Sequence, residues 1–160
     1  MIGWKETYYE RRYKKVLYYF ALKYNGDFDK IYSSLATREK FDIDKFMRLK
    51  KDVQYHHITI LDDKYPNYLK SVECPPFVLF YEGNFNLIKD RTTAIKYDVL
   101  ESGGRLISTV NPIQKGNGIE FDYIVACENQ EDLKDMLEHI KSKGLDFKNY
   151  EKKKDKGIER

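Results

Sequence analysis

Near the start of the chain, basic and aromatic side chains alternate in a way that suits a nucleic-acid-binding surface. The cluster holds four basic residues and three tyrosines: Tyr8, Tyr9, Arg11, Arg12, Tyr13, Lys14 and Lys15. Lysine and arginine neutralise phosphates and aromatic rings stack on unpaired bases, so the pattern suggests a site for single-stranded DNA. A solvated helix face beside a tyrosine-rich core stripe gives the same pattern without DNA. The helical periodicity of the tyrosines favours the second interpretation.

The charge distribution places the positive field at the two ends of the chain. The net charge is +3, but residues 1–54 carry a surplus of +5, residues 151–160 a surplus of +2, and the middle a balance of −4. Since the acidic middle repels phosphate, DNA is expected to bind near the N-terminus. On a helix, three of the basic residues share one face and the fourth flanks it. The expected contacts are Arg11, Lys14 and Lys15, with Arg12 beside them.

The remaining polar clusters indicate no catalytic or metal chemistry. His56 and His57 lie near Asp62 and Asp63, but adjacent histidines on a strand point to opposite faces and cannot share one ion. Residues 116–118 (Gly-Asn-Gly) lack the strand, helix and lysine of a phosphate-binding loop and indicate a turn. The sequence has no HExxH motif, nucleophile–base pair or paired-carboxylate spacing. It therefore predicts a non-enzymatic protein with no catalytic residues, no metal and no cofactor.

The cysteine content and hydropathy indicate a cytoplasmic protein with no membrane association. No apolar run approaches the ~20 residues of a membrane span, and the first residues lack the apolar stretch of a signal peptide. Cys74 and Cys127 are far apart in sequence and form no CxxC pair. We therefore expect two free, buried thiols in a reducing compartment.

Residues 1–54 are predicted to form a small domain of three helices. Apolar residues at spacings of three and four predict a helix over residues 5–24, ended by Asn25 and Gly26. Asp27 can cap a second helix, and Asp42 or Asp44 a third. The residues expected to point inward are Tyr9, Tyr13, Val16, Leu17, Phe20, Ala21 and Tyr24 in the first helix, then Phe28, Ile31, Tyr32, Leu35, Phe46, Met47 and Leu49 in the others.

Residues 55–90 are predicted to alternate between strands, turns and short helices. Residues 58–61 form a short β-rich run, and residues 67–72 are long enough for one or two helical turns. Residues 77–81 (Phe-Val-Leu-Phe-Tyr) are all large and apolar or aromatic, which is typical of a buried strand. Three dipeptides that favour turns separate these strands and helices. They are Tyr65-Pro66, Pro75-Pro76 and Gly83-Asn84.

These landmarks, in this order and spacing, resemble a segment of the DprA/Smf DNA-processing family. The resembling pattern is I-T-I-L-D-x-x-Y-P-x-x-L-K, a short spacer, then P-P-x-V-L-F-x-x-G-N-x-x-L. In that family the segment joins an N-terminal helical domain, similar to sterile-alpha-motif or helix-hairpin-helix domains, to a Rossmann-type domain. The resemblance implies binding of single-stranded DNA and cooperation with a RecA-type recombinase.

After Lys89 the resemblance ends. The family's glycine-serine-arginine turn and glycine-rich phosphate-binding region do not follow, so we expect the Rossmann domain to be missing or replaced. Residues 91–150 instead predict a βββα unit. Its strands cover residues 93–100, 105–110 and 119–125, with turns at 102–104 and 111–118, before a helix over residues 130–143 capped by Asn129. A helix over residues 92–102, which would restore a partial α/β unit, is the alternative.

Together these patterns predict an α+β fold, with a three-helix domain followed by a small, mainly antiparallel sheet capped by a C-terminal helix. The expected divisions are 1–54, 55–90, 91–150 and a charged tail at 151–160, which is either solubilising or a nucleic-acid-binding arm. The leading hypothesis is a truncated, non-catalytic DprA/Smf-like protein that binds single-stranded DNA. The alternative is a protein-interaction or regulatory module without DNA binding, with a full-length DprA-like protein among its partners; an enzyme is the third.

Overall fold

A computed structural model describes residues 7–88 and 106–142 of the 160-residue chain. In these residues, five α-helices and one 3₁₀ helix accompany a four-stranded sheet. The helices are α1 (Tyr8–Lys23), α2 (Phe28–Ala36), α3 (Ile43–Lys51), α4 (Asn67–Lys70) and α5 (Gln130–Lys141), with the 3₁₀ helix at Phe85–Leu87. The strands are β1 (His56–Thr59), β2 (Val78–Gly83), β3 (Leu106–Lys115) and β4 (Gly118–Cys127). The predicted α+β class is confirmed.

The sheet has the order β1-β2-β4-β3, and every neighbouring pair of these strands is antiparallel. The strand predicted at residues 77–81 is confirmed as β2, which starts one residue later and lies between β1 and β4. Val78, Leu79 and Phe80 are almost completely buried, because β2 is covered on both faces. The described strands of segments 55–90 and 91–150 thus form one sheet, while the proposed division of the chain stays a prediction.

The two faces of the sheet bury separate sets of side chains. One face carries Val78 and Phe80 and packs against the buried residues of α1, α3 and α5. The opposite face carries Leu79 and packs against the segment around α4, where Tyr65 and Leu69 are buried. At about 25 cal/mol per Å² of apolar area, this burial on both faces is the dominant favourable contribution to folding.

The predicted helix starts are confirmed at Asp27 and Asp42, each of which caps the helix that follows. The predicted inward positions are partly wrong. Tyr9 and Tyr13 are 68% and 61% exposed, and Tyr32 and Met47 are also exposed. In α1, continuous burial begins only at Leu17 and extends to Ala21, so among the described residues the core packs against the second half of this helix. The apolar period of this helix therefore continues past the part that joins the core.

The turn predicted at residues 111–118 is confirmed at 116–117 and wrong at 111–115. Strand β3 continues through Asn111 and Pro112 to Lys115, and a two-residue turn at 116–117 connects it to β4. Pro112 fits within the strand because its pairing with β4 alternates from the Lys115↔Gly118 pair that closes the turn. This alternation places Pro112 at a position where the backbone nitrogen points away from β4. The strand at 93–100, the turn at 102–104, the alternative helix at 92–102 and the tail at 151–160 lie outside the described residues.

The final helix is confirmed with its predicted cap, since the Asn129 side chain accepts a hydrogen bond from the backbone N–H of Asp132. None of the helices in the described ranges has the length and apolar composition that a membrane span requires.

Candidate nucleic-acid interface

The first half of α1 presents aromatic rings to solvent. Tyr8, Tyr9 and Tyr13 are 65%, 68% and 61% exposed, and the rings of Tyr8 and Tyr9 meet edge to face with centroids 5.6 Å apart. Single exposed apolar residues are ordinary, but three large rings on two helical turns form an exposed patch of the kind that marks an interaction site.

Positive charge shares this surface. Arg11, Arg12 and Lys15 are all exposed. Arg12 follows Tyr8 by four residues and Tyr9 by three, so on a helix its guanidinium lies on the same face as their rings. The arrangement places a cation next to stacking surfaces, which is the combination that single-stranded nucleic acids bind.

Lys15 lies at the border between α1 and α3. Its ammonium group is 6.0 Å from the centroid of the Phe41 ring and 5.7 Å from that of Phe46. Such cation–π contacts stabilise by roughly 0.5–1 kcal/mol at exposed sites. Because Lys15 is nevertheless exposed, its ammonium group remains accessible to an anion.

Lys14 differs from Arg11, Arg12 and Lys15 in that its side chain is partly buried. Its Nζ atom forms an ion pair with Oδ1 of Asp62 at 2.9 Å, and the two side chains are only 19% and 31% exposed. The other carboxylate oxygen of Asp62 accepts hydrogen bonds from the backbone N–H and the hydroxyl of Thr59, at 2.7 and 2.9 Å. Burial of Asp62 opposes its ionisation, but the hydrogen bonds from Lys14 and Thr59 outweigh burial and lower the pKa of the carboxyl. Lys14 thus joins α1 to the turn after β1.

The Tyr-Pro and Pro-Pro landmarks contact each other. The buried hydroxyl of Tyr65 donates a hydrogen bond of 2.7 Å to the backbone carbonyl of Pro76, and burial raises the pKa of this tyrosine. Pro66 occupies the position that caps the first turn of α4. These residues therefore fix the path of the chain between β1 and β2, rather than forming a binding surface.

The Gly-Asn landmark attaches β2 to β4. Gly83 has φ +105°, and any Cβ at this position would overlap the carbonyl of Tyr123. The backbone N–H of Asn84 donates to that same carbonyl at 2.6 Å. The Asn84 side chain donates to Asp122 at 3.1 Å and accepts from the backbone N–H of Asn86 at 3.0 Å. Asn84 therefore caps the 3₁₀ helix, and the glycine is required by close approach of the two strands.

The two histidines point to opposite faces of β1, as predicted. His57 stacks on Tyr18 of α1 with centroids 3.7 Å apart, whereas His56 stacks on Tyr81 of β2 at 5.3 Å. Within residues 7–88 and 106–142, no three metal-ligating side chains converge. Cys74 and Cys127 are both free, and Cys127 is buried. Burial raises the pKa of the Cys127 thiol to about 11, which keeps it protonated and unreactive at neutral pH.

A comparison with protein families identifies residues 56–96 with the model of DNA recombination-mediator protein A. This segment is DprA/Smf-like. The match starts at β1 and includes the motif residues from Asp62 to Asn84, and it supports a role related to DNA processing or recombination. Neither a curated protein nor a solved structure matches the chain.

The DprA-like segment and the basic–aromatic surface of α1 are different parts of the molecule. The segment contributes β1, α4 and β2, whereas the exposed tyrosines precede it by more than forty residues of sequence. The ion pair between Lys14 and Asp62 connects them directly. Sequence periodicity missed the exposure of the tyrosines, because it shows which face is apolar but not how far the helix extends beyond its core.

Proposed function

We propose that this protein is a non-catalytic, DprA-like DNA-processing protein that binds single-stranded DNA through the exposed half of α1. The observation that carries the proposal is the solvent exposure of Tyr8, Tyr9 and Tyr13 beside Arg11 and Arg12. Burial of these three tyrosines would instead have supported a purely structural role for them. The DprA-like segment supports the connection to DNA processing.

The chemistry of the surface favours unpaired bases over a duplex. A tyrosine ring stacks on a base only when that base is free of its neighbours, and each such contact contributes about 1–3 kcal/mol. Stacking tolerates every base, because all four have a π-face. We therefore propose binding that is largely independent of sequence, with single strands preferred over double strands.

The cations of α1 determine how binding depends on salt. If Arg11, Arg12 and Lys15 each contact one phosphate, the logarithm of the association constant falls with that of salt concentration at a slope of about −2 on single strands. Lys14 is left out of this count because its side chain is only 19% exposed in the ion pair with Asp62. The four predicted contacts are thus refined to three, with Lys14 proposed to have a structural role.

The proposed partners follow from the DprA-like segment. They are a RecA-type recombinase, loaded on DNA in recombination or DNA uptake, and a full-length DprA-like protein that this chain would assist. The antiparallel sheet of the described residues supplies no Rossmann crevice for DNA, so the proposal places DNA outside the sheet.

Fluorescence anisotropy with labelled single- and double-stranded oligonucleotides tests the proposal. The triple variant Arg11→Glu, Arg12→Glu, Lys15→Glu should lose single-strand binding and keep the circular dichroism spectrum of the parent. A matched control is Lys70→Glu, because Lys70 is exposed on α4, which lies across the sheet from α1. Parent-like binding by the triple variant would overturn the proposal.

A protein-interaction module is the second candidate, since tyrosine and arginine are also enriched at the core of protein interfaces. The same exposed rings would then contact a partner protein. A pull-down from lysate with and without nuclease separates the candidates, because a nuclease-resistant complex that depends on Tyr9 and Tyr13 favours a protein partner.

A further inference from the structure

Helix α3 has a pronounced charge separation along its axis. Its first turn follows the capping residue Asp42 and contains Asp44, whereas its last turn contains Arg48, Lys50 and Lys51. The basic end is therefore a second positive feature of the helical region, and no pattern in the sequence connects it with α1.

The structure brings that basic end next to α1. The ammonium group of Lys50 is 5.3 Å from the centroid of the Phe46 ring, the ring that Lys15 also approaches at 5.7 Å. The two ammonium groups therefore cannot be farther apart than the sum of these distances. Two like charges near one ring repel each other in water only weakly, and both add to the positive potential that attracts a phosphate backbone.

Exposed apolar surface continues from this pair along α3. Ile43, Met47 and Lys50 follow one another at spacings of four and three, so they lie on one face of the helix. Ile43 is 49% exposed and Met47 is 43% exposed. A flexible, polarizable methionine side chain adapts to a flat aromatic partner such as a base.

We propose that the DNA-binding surface continues from α1 past Lys15 onto α3, with Lys50 as a phosphate contact and Met47 as a base contact. This inference rests on the proposed function and extends it to a helix that contributes none of the DNA contacts predicted from sequence. The strand follows a path from the tyrosines of α1, past Lys15 and Lys50, toward Met47.

The salt dependence of binding measures the contribution of Lys50. Loss of one phosphate contact on a single strand should reduce the slope by about 0.7. Lys50→Glu should show this reduced slope and weaker binding, and Lys50→Arg should restore both, because it keeps the charge and the cation–π contact with Phe46. Lys70→Glu again serves as the control on the other side of the sheet, with the parent slope expected.

The variants distinguish failure of this inference from failure of the proposed function. If the α1 triple variant loses binding but Lys50→Glu keeps the parent slope and affinity, the extension to α3 is overturned and the α1 site remains. If the parent does not bind single strands, both are overturned. Met47→Ala provides an independent measurement, since it should weaken binding without changing the salt slope, whereas parent-like affinity would remove Met47 from the surface.

Discussion

Replacement of Gly83 by alanine should destabilise the protein far more than an ordinary glycine substitution. Gly83 is the last residue of β2 and has φ +105°, a backbone conformation that side-chain-bearing residues rarely adopt. A Cβ atom there would overlap the carbonyl group of Tyr123 on β4. The neighbouring Asn84 N–H donates to that same carbonyl at 2.6 Å, so the two strands cannot separate without losing this bond.

The expected magnitude follows from these two effects. A residue held in such a sparsely populated conformation costs roughly 1–3 kcal/mol, and forcing an additional methyl group into a packed site costs roughly another 1–3 kcal/mol. Gly83→Ala should therefore lower the free energy of unfolding by about 2–6 kcal/mol. That is a large part of the total for a typical domain, which is about 5–15 kcal/mol.

Gly116 offers a matched control, because it also has positive φ, at +57°, but no atom lies within 4 Å of a Cβ placed there. Gly116→Ala should cost only the left-handed backbone term, about 1–2 kcal/mol. Urea unfolding followed by circular dichroism measures both variants. Equal destabilisation of the two would refute the argument that strand approach, rather than backbone conformation alone, requires glycine at position 83.

Three further substitutions test the packing around the DprA-like segment. Asp62→Asn should lower the free energy of unfolding at pH 7 by about 1–3 kcal/mol. Because the pKa of Asp62 is lowered in the fold, the stability that its carboxylate contributes is present above the ordinary pKa near ~4 and is lost as the pH falls through the lowered pKa. Urea unfolding between pH 7 and 3 should therefore show the difference in unfolding free energy between Asp62→Asn and the parent shrinking. A constant difference across this range would contradict the role of the Lys14 ion pair. Tyr65→Phe leaves the Pro76 carbonyl unpaired and should cost about 1–3 kcal/mol in the same assay, whereas a parent-like value would mean that the buried hydrogen bond contributes nothing. Leu79→Asp places a charge at a site that is 0% exposed, so it should give no soluble folded protein, and a cooperatively unfolding variant would disprove the burial of β2.

The parts of the fold that sequence predicted well have strong local signals. Asp27, Asp42 and Asn129 were identified as helix caps because their side chains satisfy the first backbone N–H groups within the same short segment. The run at residues 77–81 was identified as a buried strand because five consecutive large residues need cover on both faces. Such signals do not depend on distant parts of the chain.

The parts that sequence missed depend on contacts between distant residues. Periodicity placed Tyr9 and Tyr13 inward, but whether a helical face is covered depends on the lengths of the neighbouring elements. The pairing of Lys14 with Asp62 joins residues 48 positions apart, and nothing local predicts it. In the same way, Lys15 and Lys50 come together only because both pack on Phe46.

Strand β3 was predicted too short for a related reason. Asn111 and Pro112 favour turns locally, yet proline is tolerated where its nitrogen points away from the neighbouring strand. That orientation is decided by the register with β4, which the two-residue turn at 116–117 determines.

Photo-crosslinking tests the central claim most directly, because it locates DNA on the protein without any substitution. Single-stranded oligonucleotides carrying photoreactive uridine would be irradiated with the full chain, and the linked peptides identified by mass spectrometry. We predict crosslinks at Tyr8, Tyr9 or Tyr13, which disappear when excess unlabelled single strand competes. Crosslinks confined to α5 or to the segment between β1 and β2, with none on α1, would contradict the account.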